Sequence, residues 1–160
     1  MGKISIYTDG AASGNPGRGG YGVVLEYNGH IKELSKGFRL TTNNRMELLA
    51  VIVGLEEIKK LGHEIIIYSD SKYVVDSINK KWVFNWERVN YKKKKNPDLW
   101  KRFLKIYRKH KVKLEWVKGH AGHEKNERCD YLAVSASNNP NLNIDKAYEL
   151  TNNNQEGLFN

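Results

Sequence analysis

The chain has 160 residues, a formal net charge of +9 at pH 7 and one cysteine, Cys129. This length suits one domain with a buried core, and a hydrophobic fraction of 39% is typical of a folded chain rather than a disordered one. The single cysteine excludes an internal disulfide and a cysteine-based zinc cluster, and no segment resembles a signal peptide or a ~20-residue membrane span, so we expect a cytoplasmic protein.

Hydrophobic periodicity predicts five strands and four helices. Strands are predicted where apolar and polar residues alternate, and helices where apolar residues recur every three to four positions. The dipeptide Asn28-Gly29 is typical of a type I′ hairpin turn. The predicted elements are strands over 3–8, 20–27 and 31–38, a helix over 44–60, a strand over 64–69, a helix over 72–79, a helix over 98–110, a strand over 112–117 and a helix over 126–136.

This order of elements predicts the fold class. Three leading strands followed by alternating helices and strands are typical of an α/β layered domain with a mixed sheet. The short apolar strand over 64–69 is expected to be central and buried on both faces. We expect one domain over 1–137 and an Asn-rich tail over 138–160, irregular apart from a helical turn near 147–150.

Positive charge is concentrated in one part of the chain. Residues 72–118 contain 16 Lys and Arg against 4 Asp and Glu, a balance of +12, whereas the rest of the chain has a balance of −3. Such a concentration is typical of a surface that binds polyanions, because phosphate neutralisation releases counterions. A solvated surface with surplus lysine and a surface for acidic membranes are the alternatives.

Four acidic residues stand near the ends of predicted elements. Asp9 closes the first strand and Asp70 closes the central one, and side chains at such strand ends face open space. Glu47 lies in the first turn of its helix, and Asp130 lies at the edge of the buried stripe of the last predicted helix. Converging carboxylates at these positions would form a metal site.

Each acid also has a purely structural interpretation. Asp70 could be only the N-cap of the next helix, and Glu47 could form a capping box with Asn44. Asp9 could stabilise a turn, and Asp130 could be a solvated residue between basic neighbours. These four interpretations are independent of one another, whereas one metal site would explain all four positions.

Carboxylate oxygens are the ligands that hard divalent cations such as Mg²⁺ prefer. One Mg²⁺ usually binds only one or two carboxylates, so four of them suggest two ions. A pair of ions can hold the attacking and leaving oxygens of a phosphodiester displacement. Without metal the four groups would repel one another, and we expect at least one pKa to rise.

Four motifs resemble those of type 1 ribonuclease H, in the same order and with similar spacing. Together they cover roughly residues 1–137, and their combination is far more specific than any one of them. The motifs are YTDG at 7–10 with GNPG at 14–17 and GGYG at 19–22, TNNRME at 42–47, SDSKYV at 69–74, and WVKGHAGH at 116–123 followed by NERCD at 126–130.

The resemblance implies a five-stranded mixed sheet with strand order 3-2-1-4-5, flanked by helices. It implies a free-standing, monomeric endonuclease that cleaves the RNA strand of RNA–DNA hybrids, leaves 5′-phosphate and 3′-hydroxyl ends, and uses two Mg²⁺ ions, with Mn²⁺ as a possible substitute. By motif position, the metal ligands would be Asp9, Glu47, Asp70 and Asp130. His120 would move a proton or help product release, with a plain loop histidine as the alternative. His123 lacks the motif position for that role.

The resemblance also implies a set of substrate contacts. A hybrid-specific enzyme must sense 2′-hydroxyls on one strand only, and a basic protrusion over about 80–96 would grip the DNA strand. Lys72 stands where many family members carry glutamine, so it could contact phosphate instead of a base edge or sugar. We expect Trp86 and Trp100 to pack, and Trp82 either to pack or to touch nucleotide. The expected contacts are Asn15, Asn43, Asn44, Lys72, Lys80, Lys81, Trp82, Lys92, Lys93, Lys94 and Lys95.

Three other functions compete with this one. A hybrid- or double-stranded-RNA-binding module would use the same basic surface, but would have no reason to keep four carboxylates beside a polyanion. An actin-like or integrase-like relative would share the sheet topology, but the loop containing His120 and the basic protrusion speak against it. A ribonuclease H domain of a larger polymerase is the third, and the start at Met1 favours the free-standing form.

Overall fold

A computed structural model describes residues 2–119 and 122–159, with side chains described up to residue 152. The strands are β1 (Lys3–Ser13), β2 (Gly17–Tyr27), β3 (His30–Thr41), β4 (Glu64–Ser69) and β5 (Lys111–Trp116). The helices are α1 (Asn43–Glu56), α2 (Lys72–Asn79), α3 (Trp82–Arg88), α4 (Pro97–Tyr107), α5 (Glu124–Ser137) and α6 (Lys146–Phe159).

The five strands form one mixed sheet in the order β3-β2-β1-β4-β5. Strand β2 runs antiparallel to β1 and β3, whereas β4 runs parallel to β1 and β5. Asn28 and Gly29 both have positive φ angles, 49° and 79°, as a type I′ turn requires. The predicted fold class, strand order and hairpin are therefore confirmed.

The first strand is longer than predicted. It continues through a run of small residues to Ser13, which pairs with Arg18 of β2. Main-chain hydrogen bonds to β2 thus override a composition that is typical of a turn. Asp9 consequently lies inside β1, and the prediction that it closes the first strand is wrong.

One face of the sheet carries most of the hydrophobic core. Ile6 and Ile67 are fully buried on this face, together with Leu48 and Ile52 of α1. Helix α5 packs on the opposite face against β1, β2 and β3, and there Ile66 and Tyr68 of β4 are only partly buried. β4 is an interior strand, between the central β1 and the edge strand β5, and the prediction that both of its faces are buried is wrong.

Helix α5 lies directly on the backbone of β2 and β3 because the sheet residues that face it include glycines. A Cβ atom on Gly22 would lie 2.2 Å from the carbonyl oxygen of Cys129, and one on Gly37 would lie 2.0 Å from that of Ala136. Real Cβ atoms do not approach this closely, so any side chain at these positions would push α5 away. These glycines therefore set the distance between the sheet and α5, the helix that carries Asp130.

The basic protrusion contains a short helix, α3, that the sequence did not predict. Trp86 packs edge to face on the fully buried Trp100, with ring centroids 5.8 Å apart, which confirms the packing role expected for both. Trp82 is 43% exposed. Aromatic packing against α4 thus orders a segment whose charge pattern alone is typical of a loop.

The segment after residue 137 is more ordered than predicted. Asn143 donates its backbone N–H to Gly37 and accepts one from Arg39, each at 2.9 Å, and α6 follows. The prediction of an irregular tail with one helical turn is wrong, because backbone pairing to β3 orders a stretch that has no apolar period. In the part of the chain described here, no helix combines the length and apolar character needed to cross a membrane.

We expect Gly22→Ala to lower the free energy of unfolding by about 1–3 kcal/mol, because the added methyl group pushes α5 away from the sheet. Urea unfolding followed by circular dichroism measures this change. Gly29→Asn is the control: nothing lies within 4 Å of a Cβ there, so it introduces only the strain of a positive φ, which asparagine tolerates better than most residues, and it should cost less stability than Gly22→Ala. A Gly22→Ala protein as stable as the wild type would contradict the tight contact.

Candidate active site

The parallel register of β1 and β4 brings Asp9 and Asp70 together. The pairing runs to Tyr7 and Tyr68, whose rings stack at 4.9 Å. Two residues further on, Asp9 of β1 and Asp70, just past the end of β4, have carboxylate oxygens within 4.8 Å of each other. There β4 has ended, while β1 remains paired only to β2. The two carboxylates therefore meet where the sheet opens between β1 and β4.

Helix α1 brings Glu47 to the same place because β1 has a glycine beside it. A Cβ atom on Gly10 would lie 2.4 Å from the backbone nitrogen of Glu47 and 2.4 Å from the carbonyl carbon of Met46. Without that atom, the first turns of α1 rest on the backbone of β1. The Glu47 side chain is buried, with only 9% of the residue exposed.

Three of the four predicted acids form a tight cluster. Asp9, Glu47 and Asp70 each offer a carboxylate oxygen, and these oxygens lie within 4.8 Å of one another. Asp130 is outside this trio but lines one pocket with Asp9 and Asp70. The structure thus gathers three of the predicted acids into one cluster, with Asp130 in the wall of an adjoining pocket.

The cluster is electrostatically strained when no cation is present. Burial, followed by the charge of Asp70, raises the pKa of Asp9 to about 7. Burial, followed by the charges of Asp9 and Asp70, raises the pKa of Glu47 well above its usual range. The expectation that at least one pKa would rise is confirmed, and the cause is desolvation combined with like charge.

This donor set fits a hard divalent cation. The Oε2 atom of Glu47 is buried and has no hydrogen-bond partner among the residues described, and an unpaired buried acceptor is costly. A divalent cation would satisfy this oxygen and offset the repulsion that raises the two pKa values. Carboxylate oxygens are also the donors that Mg²⁺ and Mn²⁺ prefer.

The structural interpretations of Asp70 and Glu47 are wrong. Ser71 caps α2, with its side chain accepting from the backbone N–H of Val74 at 3.2 Å. Thr42 caps α1 in the same way, accepting from Arg45 at 3.2 Å. Ser71 and Thr42 thus occupy the N-cap positions, so Asp70 is not the N-cap of α2, and Asn44 is not the N-cap that a capping box with Glu47 requires.

The turn interpretation of Asp9 fails as well, because Asp9 lies inside a strand. Its Oδ1 accepts from the adjacent backbone N–H of Gly10 at 2.9 Å. Asp130 is partly buried in the pocket wall, so it is not a freely solvated residue on the surface of α5.

The histidine loop is only partly described. His120 lies outside the described residues, so its predicted part in proton movement or product release stays a prediction. Gly119 passes close to the cluster: a Cβ there would lie 2.8 Å from Oδ2 of Asp70. His123 is the N-cap residue of α5, and its side chain makes no capping bond.

Sequence reasoning missed four residues of the pocket wall. Asn126 and Glu127 of α5 line it with Thr8 and Gly119. Asn126 could have been found, because it precedes Asp130 by four residues, and side chains at that spacing share one face of a helix. No sequence pattern marks Thr8 as a pocket residue. In the structure its hydroxyl is buried and donates to the carbonyl of Tyr68 at 3.2 Å.

Two of the predicted substrate asparagines join the β1–β2 turn to the start of α1. Asn15 accepts from the backbone N–H of Asn43 at 3.0 Å, and Asn43 accepts from that of Ala12 at 2.6 Å. Asn44 follows as an exposed residue in the first turn of α1. All three thus belong to one small surface close to Glu47.

Lys72 follows Asp70 by two residues and lies next to an exposed aromatic ring. Its Nζ sits 4.8 Å from the ring centroid of Trp116, and the indole of Trp116 donates to the carbonyl of Asp70 at 3.1 Å. Lys72 is therefore held beside Asp70 with its charged end exposed to solvent. This position suits a contact with phosphate better than with a base edge.

The remaining predicted contacts lie on the protrusion and do not line the carboxylate pocket. Lys80 lies 5.3 Å over the ring of Trp82, and Lys81 lies 5.6 Å over that of Phe84. Four consecutive lysines that follow α3 are all exposed: Lys92, Lys93, Lys94 and Lys95. The fold thus separates an acidic pocket from a basic extension.

Comparison with known proteins gives the family. The model of the family "RNase H" matches residues 1–138, which is most of the chain. The chain belongs to the ribonuclease H family. The ribonuclease H of Desulforamulus reducens is 58% identical over 148 residues, covering 89% of this chain and 92% of that protein. The ribonuclease H of Rippkaea orientalis is 55% identical over 152 residues, covering 92% and 93%.

Solved ribonuclease H structures share the fold. LC9-RNase H1, described as a type 1 RNase H with the type 2 active-site motif, superposes with a TM-score of 0.75 at 33% identity, covering 84% of this chain and 71% of that one. LC11-RNase H1, solved in complex with an RNA/DNA hybrid, gives a TM-score of 0.65 at 32% identity, covering 91% and 99%.

In this ribonuclease H, we expect Asp9→Asn to raise the melting temperature of the metal-free protein at pH 8 by about 2–8 °C, equivalent to about 1–2 kcal/mol. Because the folded-state pKa of Asp9 is about 7, the folded protein binds its proton more tightly than the unfolded chain does. The wild type therefore loses stability as the pH rises from about 4 to about 7.

Thermal melts in chelator between pH 5 and pH 8 test this expectation. The difference between the variant and the wild type should be small at pH 5 and should grow with pH. A difference that is the same at both pH values would contradict a raised pKa at Asp9.

Proposed function

We propose that this ribonuclease H is an endonuclease that hydrolyses the RNA strand of RNA–DNA hybrids and leaves 5′-phosphate and 3′-hydroxyl ends. Two Mg²⁺ ions would be held by Asp9, Glu47, Asp70 and Asp130. The observation that carries this proposal is the cluster of Asp9, Glu47 and Asp70, with Asp130 lining a pocket beside two of them. Membership of the family and the similarity to a relative solved with an RNA/DNA hybrid support the choice of substrate.

The chain's own contribution is to hold oxygen ligands in place before the substrate arrives. When bound, a pair of divalent ions would stabilise charge on the attacking and leaving oxygens of the phosphodiester. Strands β1 and β4 and helix α1 orient the carboxylates, so little reorganisation is needed during the reaction. We assign proton movement or product release to His120, since an imidazole titrates near neutral pH.

The substrate would be read by two separate surfaces. Asn15, Asn43 and Asn44 present amide groups beside the pocket, where donors and acceptors can contact the 2′-hydroxyls of the RNA strand. The lysines of the protrusion would neutralise phosphates of the DNA strand, which adds affinity without sequence preference. We assign Lys72 to a phosphate close to the scissile one, because its charged end lies beside Asp70.

We also propose that the protein acts as a cytoplasmic monomer. Its single cysteine is buried, and burial raises the pKa of the Cys129 thiol to about 12, so this thiol is inert. These features suit a reducing compartment and leave no exposed thiol for a disulfide-linked dimer.

The rival function is a binding module that holds a hybrid or double-stranded RNA without cleaving it. The geometry of the acids disfavours it. A polyanion-binding surface gains nothing from three carboxylates within 4.8 Å of one another, since their charges repel phosphate. The cluster is useful only if cations occupy it when the nucleic acid binds.

Cleavage of a labelled RNA–DNA hybrid with Mg²⁺, with Mn²⁺ and with chelator tests the mechanism. We expect cutting with either ion and none in chelator. Asp70→Asn should lower kcat by on the order of 1,000-fold, because several kcal/mol of transition-state stabilisation are removed. Glu64→Gln changes an exposed acid at the opposite end of β4 and should leave the rate unchanged. Cutting in chelator, or an Asp70→Asn protein as fast as the wild type, would refute the proposal.

Replacing Lys92, Lys93, Lys94 and Lys95 by alanine should weaken hybrid binding and flatten its salt dependence. The slope of log K against log salt is negative, and each lost phosphate contact reduces its magnitude by about 0.9 on duplex DNA. Filter binding from low to moderate salt measures the slope. A variant with Lys59, Lys60, Lys105 and Lys109 replaced loses the same charge at the far ends of α1 and α4, and should keep the wild-type slope. Equal slopes for both variants would contradict a local contact.

A further inference from the structure

One buried arginine in the first turn of α1 joins three separate parts of the chain. The side chain of Arg45 is 4% exposed. It donates twice to Asp145, at 2.7 and 2.9 Å, and twice to Asp98, at 2.9 and 2.8 Å. A fifth bond goes to the side-chain oxygen of Asn96 at 3.3 Å. All five N–H donors of an arginine are thereby used.

The first partner, Asp145, comes from the C-terminal segment, which lies beyond the part of the chain that the family model matches. Asp145 is buried and also accepts from the hydroxyl of Thr41 at 2.8 Å. The preceding residues pair with β3 through Asn143. The C-terminal segment is thus fixed to the sheet on one side and to α1 on the other.

The second and third partners, Asn96 and Asp98, stand where the basic protrusion returns to the domain and α4 begins. Asn96 also donates to the hydroxyl of Tyr73 at 3.1 Å, and the indole of Trp100 donates to the same oxygen at 2.9 Å. Tyr73 belongs to α2, directly after Lys72. The base of the protrusion is therefore tied to α1 and to α2 by one connected set of side chains.

These connections link the two surfaces that we assign to the substrate. Arg45 lies next to Asn44 and two residues before Glu47, so its position fixes the surface that would contact the RNA strand. Asn96 and Asp98 fix the base of the protrusion that would contact the DNA strand. An arginine bonded in pairs on both sides resists rotation as well as displacement.

We propose that Asp145, acting through Arg45, is a positioning residue that sets the distance and angle between the carboxylate pocket and the basic protrusion. This inference rests on the proposed function. The C-terminal segment would thereby determine which phosphodiester lies over the carboxylates when the lysines hold the other strand. A purely stabilising segment would instead affect all substrates alike, including one too short to reach both surfaces.

The test compares Asp145→Asn with the wild type on a long hybrid and on a short one, at a temperature where both proteins are folded by circular dichroism. The length of the short hybrid is chosen with a variant in which alanine replaces Lys92, Lys93, Lys94 and Lys95. It is the longest duplex that this variant cleaves as fast as the wild type does, and it therefore does not depend on these lysines. On the long hybrid we expect kcat/KM to fall about 10-fold, mainly through kcat, and the cleaved positions to shift, because displaced binding groups misplace the reacting atoms. On the short hybrid we expect the wild-type rate.

Two further variants separate positioning from folding. Asp98→Asn weakens the other ion pair of Arg45. The Asp98 side chain is 38% exposed, so this change should disturb folding less than Asp145→Asn does. Like Asp145→Asn, it should lose activity on the long hybrid and keep it on the short one. Glu149→Gln removes the charge of another acid of the C-terminal segment, which pairs with the exposed Arg39 of β3, and should behave as the wild type on both.

Four results would overturn the inference. They are an equal loss of activity on both hybrids, no loss on either, a Glu149→Gln protein that matches Asp145→Asn, and a lysine variant with no defect at any length. A wild-type protein that cleaves neither hybrid would instead refute the proposed function itself, and this inference would fall with it.

Discussion

The close approach of three carboxylates is the constraint on which the rest of the structure depends. Like charges within 4.8 Å of one another in a partly desolvated pocket oppose folding. Asp9 and Glu47 respond with raised pKa values. The cluster persists because β1, β4 and α1 are held by a hydrophobic core that does not involve the acids. The core thus stabilises an arrangement that is unfavourable until a cation neutralises it.

Close backbone contact is the means by which this arrangement is enforced. Gly10 lets α1 lie on β1, and Gly22 and Gly37 let α5 lie on β2 and β3. Helices that touch the sheet backbone have little freedom to shift, because their height is set by main-chain atoms rather than by flexible side chains. The acids are therefore carried by elements whose separations are fixed by glycine.

The distribution of charge separates catalysis from binding. Negative groups gather in a small pocket at the opening of the sheet, and positive groups extend along the protrusion. A nucleic acid would be attracted by the lysines, and its phosphate would approach the acids only with accompanying cations. Arg45 connects the two regions through its hydrogen bonds. Its positive charge is more than balanced by Asp98 and Asp145, so it adds no positive field to either region.

Local sequence patterns determined most of the fold. The alternating strands, the Asn28-Gly29 turn and the apolar helix periods depend on neighbours in the chain, and the strand order followed from the resemblance to a known family. Only the tertiary structure decided that β1 extends past Asp9, because strand pairing outweighs local composition there. It also decided that Thr42 and Ser71, not the acids, cap their helices. The ordering of the C-terminal segment by Arg45 and β3 joins residues about a hundred positions apart, and such contacts leave no periodic signal in a single sequence.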